Sequence, residues 1–225
     1  MKRLLTGMVA AAVLAFAPPG QAADTNAFLE TWLAAQANLK TWSADCIQTR
    51  ALKTLTTPLV STGKVWFAAP DRFRWELGQP AQTIALRRGD TMWIIYPKLK
   101  RAERYELGGN VAGPWRDALA LLDAGFPQSR AQIDRQFHVA SLVATNGAHE
   151  LALQPTSGMA RRFITQVGVT VSTNGCSLLA TELTFADGSR MRNDFTNAVA
   201  NPAFGERIFE PPIDPGFTIT EPLKP

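Results

Sequence analysis

The chain is poor in the residues that most often carry enzyme chemistry. Its 225 residues include two histidines and two cysteines. His138 and His149 both fall in stretches read as strands and flanked by apolar residues, where a structural role outweighs a catalytic one. A Ser-His-Asp or Cys-His site needs a histidine oriented by a third group, and no such set is legible. No glycine-rich loop follows a strand and opens a helix to cradle phosphate; Gly108-Gly109-Asn110 reads as ordinary loop. Glu103 and Glu106 do not share a strand face, so they make a poor acid–base pair. Asp187 belongs to a turn. Two histidines give weak support for a metal site. The expectation is a protein that is not an enzyme, with no cofactor and no metal.

Charge of one sign is lacking too. Lys2 and Arg3 stand in a leader described below. Without them, 21 basic residues face 19 acidic ones, a net charge of +2. No nucleic-acid motif accompanies the basic groups at Arg72/Arg74, Arg87/Arg88, Lys98/Lys100/Arg101/Arg104 and Arg161/Arg162, and nucleic acid is not an expected partner. These clusters read mainly as solvated strand faces and turns, with a membrane-facing or partner-docking rim as the other reading. Long apolar runs are missing beyond the N-terminus. There, Lys2 and Arg3 precede the apolar stretch Leu4 to Phe16, and the small residues Gly20 and Ala22 suit a signal peptidase. Residues 1–22 are read as a cleaved signal peptide, with the cut after Ala22 or Ala23, and residues 23–225 as a single domain. No cysteine follows the apolar run to carry a lipid. The expected product is soluble and exported. In an oxidising compartment Cys46 and Cys176 could pair, or stay as two separate thiols; geometry decides.

Strands and turns are abundant. Residues 24–40 read as a helix, with Phe28, Trp32, Ala35 and Leu39 on one stripe, Leu29 and Leu33 beside it, and Asp24, Thr25 or Asn26 as its cap. Strands follow at Trp42–Leu52, Gly63–Ala69, Arg72–Leu77, Gln82–Arg87, Thr91–Tyr96 and Arg101–Leu107. Trp93 to Tyr96 is apolar on both faces, so something should cover each side. Pro114 to Gly125 reads as a second helix, with Pro and Gly at its ends and Trp115, Leu119 and Leu122 on one stripe. A short third helix is read near Gln128 to Arg135. The rest is strand, turning at Asn146-Gly147, Asn174-Gly175 and Asp187-Gly188, which tolerate the positive φ of tight hairpins. A Pro-rich tail after Phe209 ends near the surface. About ten strands in meander order, without repeated βαβ units, predict an α+β fold: one strongly curved antiparallel sheet with two or three helices on its concave face. Trp66, Phe67, Phe73, Trp75, Ile84, Leu86, Trp93 and Ile95 are read either as plain core or as the lining of a cavity under those helices.

Several short motifs occur in a fixed order. They are Cys46-Ile47-Gln48-Thr49-Arg50, Gly63, Pro70, Phe73-Arg74-Trp75, Gly89-Asp90, Trp93, Tyr96-Pro97, Leu99, Asp187-Gly188, Phe195 and Phe209 to Pro212. Together they resemble the outer-membrane lipoprotein carrier (LolA-like) family over most of the mature chain. The resemblance implies an incomplete, unclosed β-barrel with a helical lid and a periplasmic location. It implies a monomer that binds the acyl chains of a lipoprotein or other acylated lipid and shuttles them from an inner-membrane exporter to an outer-membrane receptor. The acyl-binding residues it suggests are Phe73 and Trp75, with Ile84, Leu86, Trp93 and Ile95. The lid residues are Trp32, Trp115, Leu119 and Leu122. Two positions depart from the family pattern. Ala69 stands where an Arg usually ties lid to barrel, and Cys46 stands where Phe is frequent. A lipid-sensing or regulatory interaction module of the same fold is the alternative. An enzyme acting on a lipid-linked substrate is the third reading.

Overall fold

The computed structural model describes residues 19–107 and 124–222. Helix α1 spans Pro19–Ala37. It starts ahead of Asp24, Thr25 and Asn26, so none of the three takes the cap position expected of them. Its buried stripe is Phe28, Leu29, Trp32 and Gln36, while Ala35 faces water. The stripe is rotated by one residue from the expected one, which puts a glutamine inside.

Eleven strands then follow, from β1 (Thr41–Ala51) and β2 (Leu59–Ala68) through β3 (Arg72–Leu77), β4 (Thr83–Arg88), β5 (Thr91–Tyr96) and β6 (Arg101–Glu106) to β7 (Phe137–Thr145), β8 (Ala148–Pro155), β9 (Ile164–Ser172), β10 (Leu178–Phe185) and β11 (Arg190–Ala200). A short β12 (Thr218–Thr220) closes the list. Between β6 and β7 lies α2 (Arg130–Gln136), capped by Ser129, whose hydroxyl accepts from the Gln132 N–H. A single turn, α3 (Gly158–Arg161), joins β8 to β9. The hairpin glycines Gly147 and Gly188 have φ of 77° and 88°, the left-handed values that make glycine the natural choice there.

All twelve strands form one strongly curved, unclosed sheet, ordered β12-β6-β5-β4-β3-β2-β1-β11-β10-β9-β8-β7. It consists of two meanders, β1–β6 and β7–β11, joined where β1 pairs antiparallel with β11, Cys46 opposite Phe195. One neighbour breaks the antiparallel rule: β12 runs parallel to β6, Thr218 opposite Arg101. The tail therefore does not simply end near the surface but returns to add a strand. Gly63 permits the close approach of β2 and β3, since a Cβ there would lie 1.8 Å from the Glu76 carbonyl oxygen.

The register assigns each residue to a face, because side chains alternate along a strand. The inner face carries Trp42, Cys46, Val65, Phe67, Leu151, Leu153, Val167, Val169, Val171, Leu183 and Phe195, and Phe28, Leu29 and Trp32 of α1 pack into the same cluster. The outer face is not bare. Ile84, Leu86, Ile95 and Ala102 form a second buried cluster, against which Ile213 and Phe217 of the tail are packed, with Trp93 beside them. Both sides of β5 are thus buried, as its sequence requires.

Candidate functional site

Phe67 of β2 lies opposite Phe73 of β3, and Val65 lies opposite Trp75. Cross-strand partners share a face, so Phe67, Phe73 and Trp75 form one inner-face patch, extended through β1 to Trp42 and through β11 to Phe195. The rings interlock. Trp42 meets Phe195 edge-on at 5.3 Å between centroids, and Trp75 meets Phe195 at 5.9 Å. Phe73 is 3% exposed and packs with Met92, Ile94 and Tyr105. At one end of the patch is a polar strip, in which Gln48 donates to Asn193 and Asn193 donates to Thr181.

The patch is covered by Phe126, which belongs to neither helix nor strand. Its ring stacks on Phe67 at 4.2 Å with planes 6° apart and meets Trp42 edge-on at 5.1 Å. Gly125 beside it leaves room for Leu178, whose methyl would lie 3.1 Å from an added Cβ. With Phe126 seated, little space remains. A void of about 10 Å³ lies among Trp42, Val65, Trp75, Phe126, Leu178 and Phe195. Another of about 30 Å³ lies among Phe67, Phe73, Arg87, Phe126 and Gln132. Each is about the size of one water. Among the described residues the inner aromatic patch is closed.

The expected acyl-binding residues do not share one surface. Phe73 and Trp75 face inward, whereas Ile84, Leu86, Trp93 and Ile95 face outward under the tail. They cannot line the same hollow as Phe73, because the register turns these four away; the inner face of β4 carries Thr83, Ala85 and Arg87 instead. Trp66 also points outward, with the Lys64 ammonium 5.9 Å from its ring. Trp32, expected as a lid residue, is buried in the inner cluster on α1. Trp115, Leu119 and Leu122, with most of the expected second helix, lie outside the described residues. Sequence reasoning named neither Phe126 nor Trp42 and Phe195 as cover and floor; Phe126 sits in Gly125-Phe126-Pro127, an aromatic between two helix-breakers.

The profile described as "Outer membrane lipoprotein carrier protein LolA" matches residues 37–212. The chain belongs to this family. The outer-membrane lipoprotein carrier protein of Xanthomonas campestris pv. campestris is 26% identical over 150 residues, 66% of this chain and 66% of that protein. The matched part thus spans about two thirds of that relative. Among solved structures, an uncharacterized conserved protein from Thermus thermophilus has a TM-score of 0.52 at 8% identity, covering 88% of this chain and 99% of that one. That likeness concerns fold. A LolA superfamily protein from Nitrosomonas europaea has a TM-score of 0.43 at 11% identity, covering 83% of this chain and 97% of that one.

For this LolA-family chain the two departures have visible surroundings. Ala69 is half-buried against the inner cluster and donates its N–H to the Lys40 carbonyl, with no charged side chain to hold a cover. Cys46 and Cys176 are both free thiols. Burial pushes the Cys46 thiol up to about 12 from an ordinary 9.0. Trp75 Nε1 is buried without an ordinary hydrogen bond; the Cys46 sulfur beside it is a weak acceptor. Trp32 Nε1 is likewise buried and unpartnered. His138 is exposed on β7, while His149 is half-buried with its ring 4.6 Å from Phe28. Among the described residues no group of His, Cys, Asp and Glu could hold a metal ion, and no helix is long and apolar enough to cross a membrane.

Proposed function

We propose that this protein is a periplasmic carrier. It takes the acyl chains of a lipoprotein, or of another acylated lipid, onto the inner face of its sheet, and moves them as a monomer from an inner-membrane exporter to an outer-membrane receptor. The observation that carries the reading is the seating of Phe126. An aromatic sheet patch is covered by a side chain that directly follows the helical residues 124–125, and among the described residues no hydrogen bond ties residues 124–128 to a strand. Such a cover can be exchanged for another apolar group of similar size. Family membership supports the same role.

The magnitudes decide which cargo could compete. Returning a phenylalanine side chain to water costs about 1.5–3 kcal/mol. An acyl chain gains about 0.8 kcal/mol per buried methylene. Roughly four methylenes therefore offset the displaced ring, so long tails displace it and very short ones do not. The Trp75 N–H, which now has only the weak Cys46 sulfur beside it, is a donor for an ester or amide carbonyl of such a cargo.

Native mass spectrometry of the protein purified from its own periplasm tests this. A bound lipid or lipoprotein mass is the expected result. An empty protein that also fails to bind a long-chain fatty acid refutes the carrier reading. A stoichiometric partner protein without lipid replaces it with the regulatory alternative.

A further inference from the structure

We infer that one rim of the curved sheet, made of the turns at residues 52–58, 78–82, 97–100, 156–163 and 186–189, docks on an anionic lipid bilayer surface. Strand pairing puts these turns at one end. β1 runs out opposite Arg190, the first residue of β11, and β10 runs out opposite Ile164, the first of β9. β3 and β5 run out at that same end, Leu77 opposite Thr83 and Tyr96 opposite Arg101. Hydrogen bonds link neighbouring turns. The Lys53 N–H donates to the Ser189 hydroxyl at 3.1 Å, and the Ala186 N–H donates to the Phe163 carbonyl at 2.9 Å.

The two rims of the sheet differ in kind. On this one, Leu55, Leu99, Met159 and Phe163 are between 46% and 70% exposed, and Leu59 and Val60 stand exposed where β2 begins. The turns at the opposite end, residues 38–40, 69–71, 89–90, 146–147, 173–177 and 201–205, carry no exposed large apolar side chain. Charge divides the same way. The first set of turns holds five basic residues, Lys53, Lys98, Lys100, Arg161 and Arg162, against one acid, Asp187. The second set holds Lys40 against Asp71 and Asp90. Within the first set, Lys100 pairs with Asp214 of the tail, and Arg161 donates to the Pro155 and Thr156 carbonyls. Asp187 accepts from the Ser189 N–H and hydroxyl and feels the charge of Lys53 without a salt bridge to it. α2, which leads into β7 at this end, adds Arg130 and Arg135 against Asp134, and Arg130 pairs with Asp134. Lys53, Lys98 and Arg162, with Arg50 and Arg190 flanking the turns, have no ion-pair partner among the described residues.

Exposed apolar tips interleaved with unpaired cations match the chemistry of a lipid interface. Apolar side chains enter the boundary between headgroups and acyl chains, and cations hold the anionic headgroups. A folded protein partner fits worse. Protein interfaces bury a continuous core ringed by polar groups, whereas here the apolar side chains stand one or two to a turn with cations between them. A fluid surface needs no such continuity. Each cation near an anionic bilayer strengthens binding about fivefold, and salt screens that gain. Trp42, Phe67 and Phe73 lie toward the opposite end of β1, β2 and β3. Docking through this rim therefore goes beyond the carrier reading and does not depend on it.

The test floats the mature protein with two kinds of vesicle, phosphatidylcholine alone and an equal mixture of phosphatidylcholine and phosphatidylglycerol. Binding to the mixed vesicles is expected, at least about tenfold weaker to phosphatidylcholine alone and weakened by high salt. Lys53→Gln with Arg162→Gln should lower binding to the mixed vesicles about 25-fold. Leu55→Ser with Phe163→Ser should lower it at least about tenfold. All four side chains are exposed, so both double variants should stay folded in urea titrations and bind a fluorescent long-chain fatty acid as the unaltered protein does. Lys40→Gln, at the other end, should leave vesicle binding as it is. The inference is overturned by no binding to the mixed vesicles, by equal binding to both kinds, or by binding that the two double variants leave intact. An acidic protein held through this rim, with vesicles not bound, overturns it in favour of a protein partner. Loss of fatty-acid binding in the unaltered protein, with vesicle binding intact, would instead count against the carrier reading alone.

Discussion

Replacing Phe126 by alanine should make this protein bind long acyl chains more tightly. The ring is 5% exposed and touches two aromatic partners, at 4.2 Å and 5.1 Å. Burial of the ring contributes about 1.5–3 kcal/mol, and each aromatic contact adds about 0.5–1.5 kcal/mol. These contacts exist only with the cover closed, so their loss penalises the closed form and leaves the loaded form nearly untouched. Taking about 3 kcal/mol as the net change, the open fraction rises roughly a hundredfold, and apparent affinity rises with it until the open form predominates. Titration with a fluorescent long-chain fatty acid measures this, with urea unfolding run in parallel to show that the sheet is intact. Phe126→Leu should fall between the two proteins. A folded Phe126→Ala variant whose affinity is unchanged or weaker would show that Phe126 is ordinary core, and the exchange argument would fail.

Four further outcomes follow from the packing. Phe73→Glu places a carboxyl among Met92, Ile94 and Tyr105; it should lower stability by several kcal/mol, with a deficit in urea melts that grows as pH rises and the acid must ionise. Gly63→Ala drives a Cβ onto the Glu76 carbonyl and should lower the melting temperature sharply, while Thr62→Ala next to it should not. The Cys46 thiol, raised to about 12 from 9.0, stabilises the fold fully below pH 9 and loses that contribution as pH climbs toward 12; at pH 8 a thiol reagent should modify Cys176 alone until urea unfolds the chain. Hydrogen bonds from Lys100 and Arg72 hold the Asp214 and Glu206 carboxyls below their ordinary 3.8 and 4.5, so tail attachment is complete above those values and weakens as pH falls through and below them; amide protection at Thr218 to Thr220, corrected for the intrinsic exchange rate, should fall from pH 6 to pH 3 by more than protection in β5.

Much of the local structure is legible in the chain. Asn146-Gly147 and Asp187-Gly188 mark their hairpins because few other pairs accept the backbone angles required, and Pro97 ends β5 where it must. What is not legible is long-range. Nothing local announces that Cys46 will sit opposite Phe195, the pairing that fuses two meanders into one sheet. The face of β4 and β5 is hidden for a different reason. Periodicity identifies the inner side only when the outer side is polar, and here Ile84, Leu86 and Ile95 are apolar because Ile213 and Phe217 return to cover them. The site inherited that ambiguity. Phe73 and Trp75 were identifiable because Arg72, Arg74 and Glu76 alternate with them, whereas Phe126 has no periodic context at all.

The two covers on this sheet are attached by different kinds of contact, and that difference bears on which one can move. The outer cover is held by a backbone ladder between β12 and β6, by the bond from the Thr218 N–H to the Lys100 carbonyl, and by ion pairs from Lys100 and Arg104. Replacing it would require a ligand that supplies directional hydrogen bonds, which a fatty tail cannot. The inner cover over Phe67 and Trp42 is held, among the described residues, by apolar contacts with these rings and with Leu178, and by no hydrogen bond to a strand. Dispersion and apolar burial are non-directional, so a methylene chain can substitute for an aromatic ring with no polar group left unpaired. An acyl ligand that displaced Ile213 and Phe217 would strand the N–H and C=O groups of β6, at about 1–3 kcal/mol for each group left buried without a partner. One that displaced Phe126 would strand none. On the carrier function proposed above, the chemistry of attachment rather than the amount of apolar surface favours the inner face for oily cargo, although the outer cluster of Ile84, Leu86 and Ile95 is apolar too.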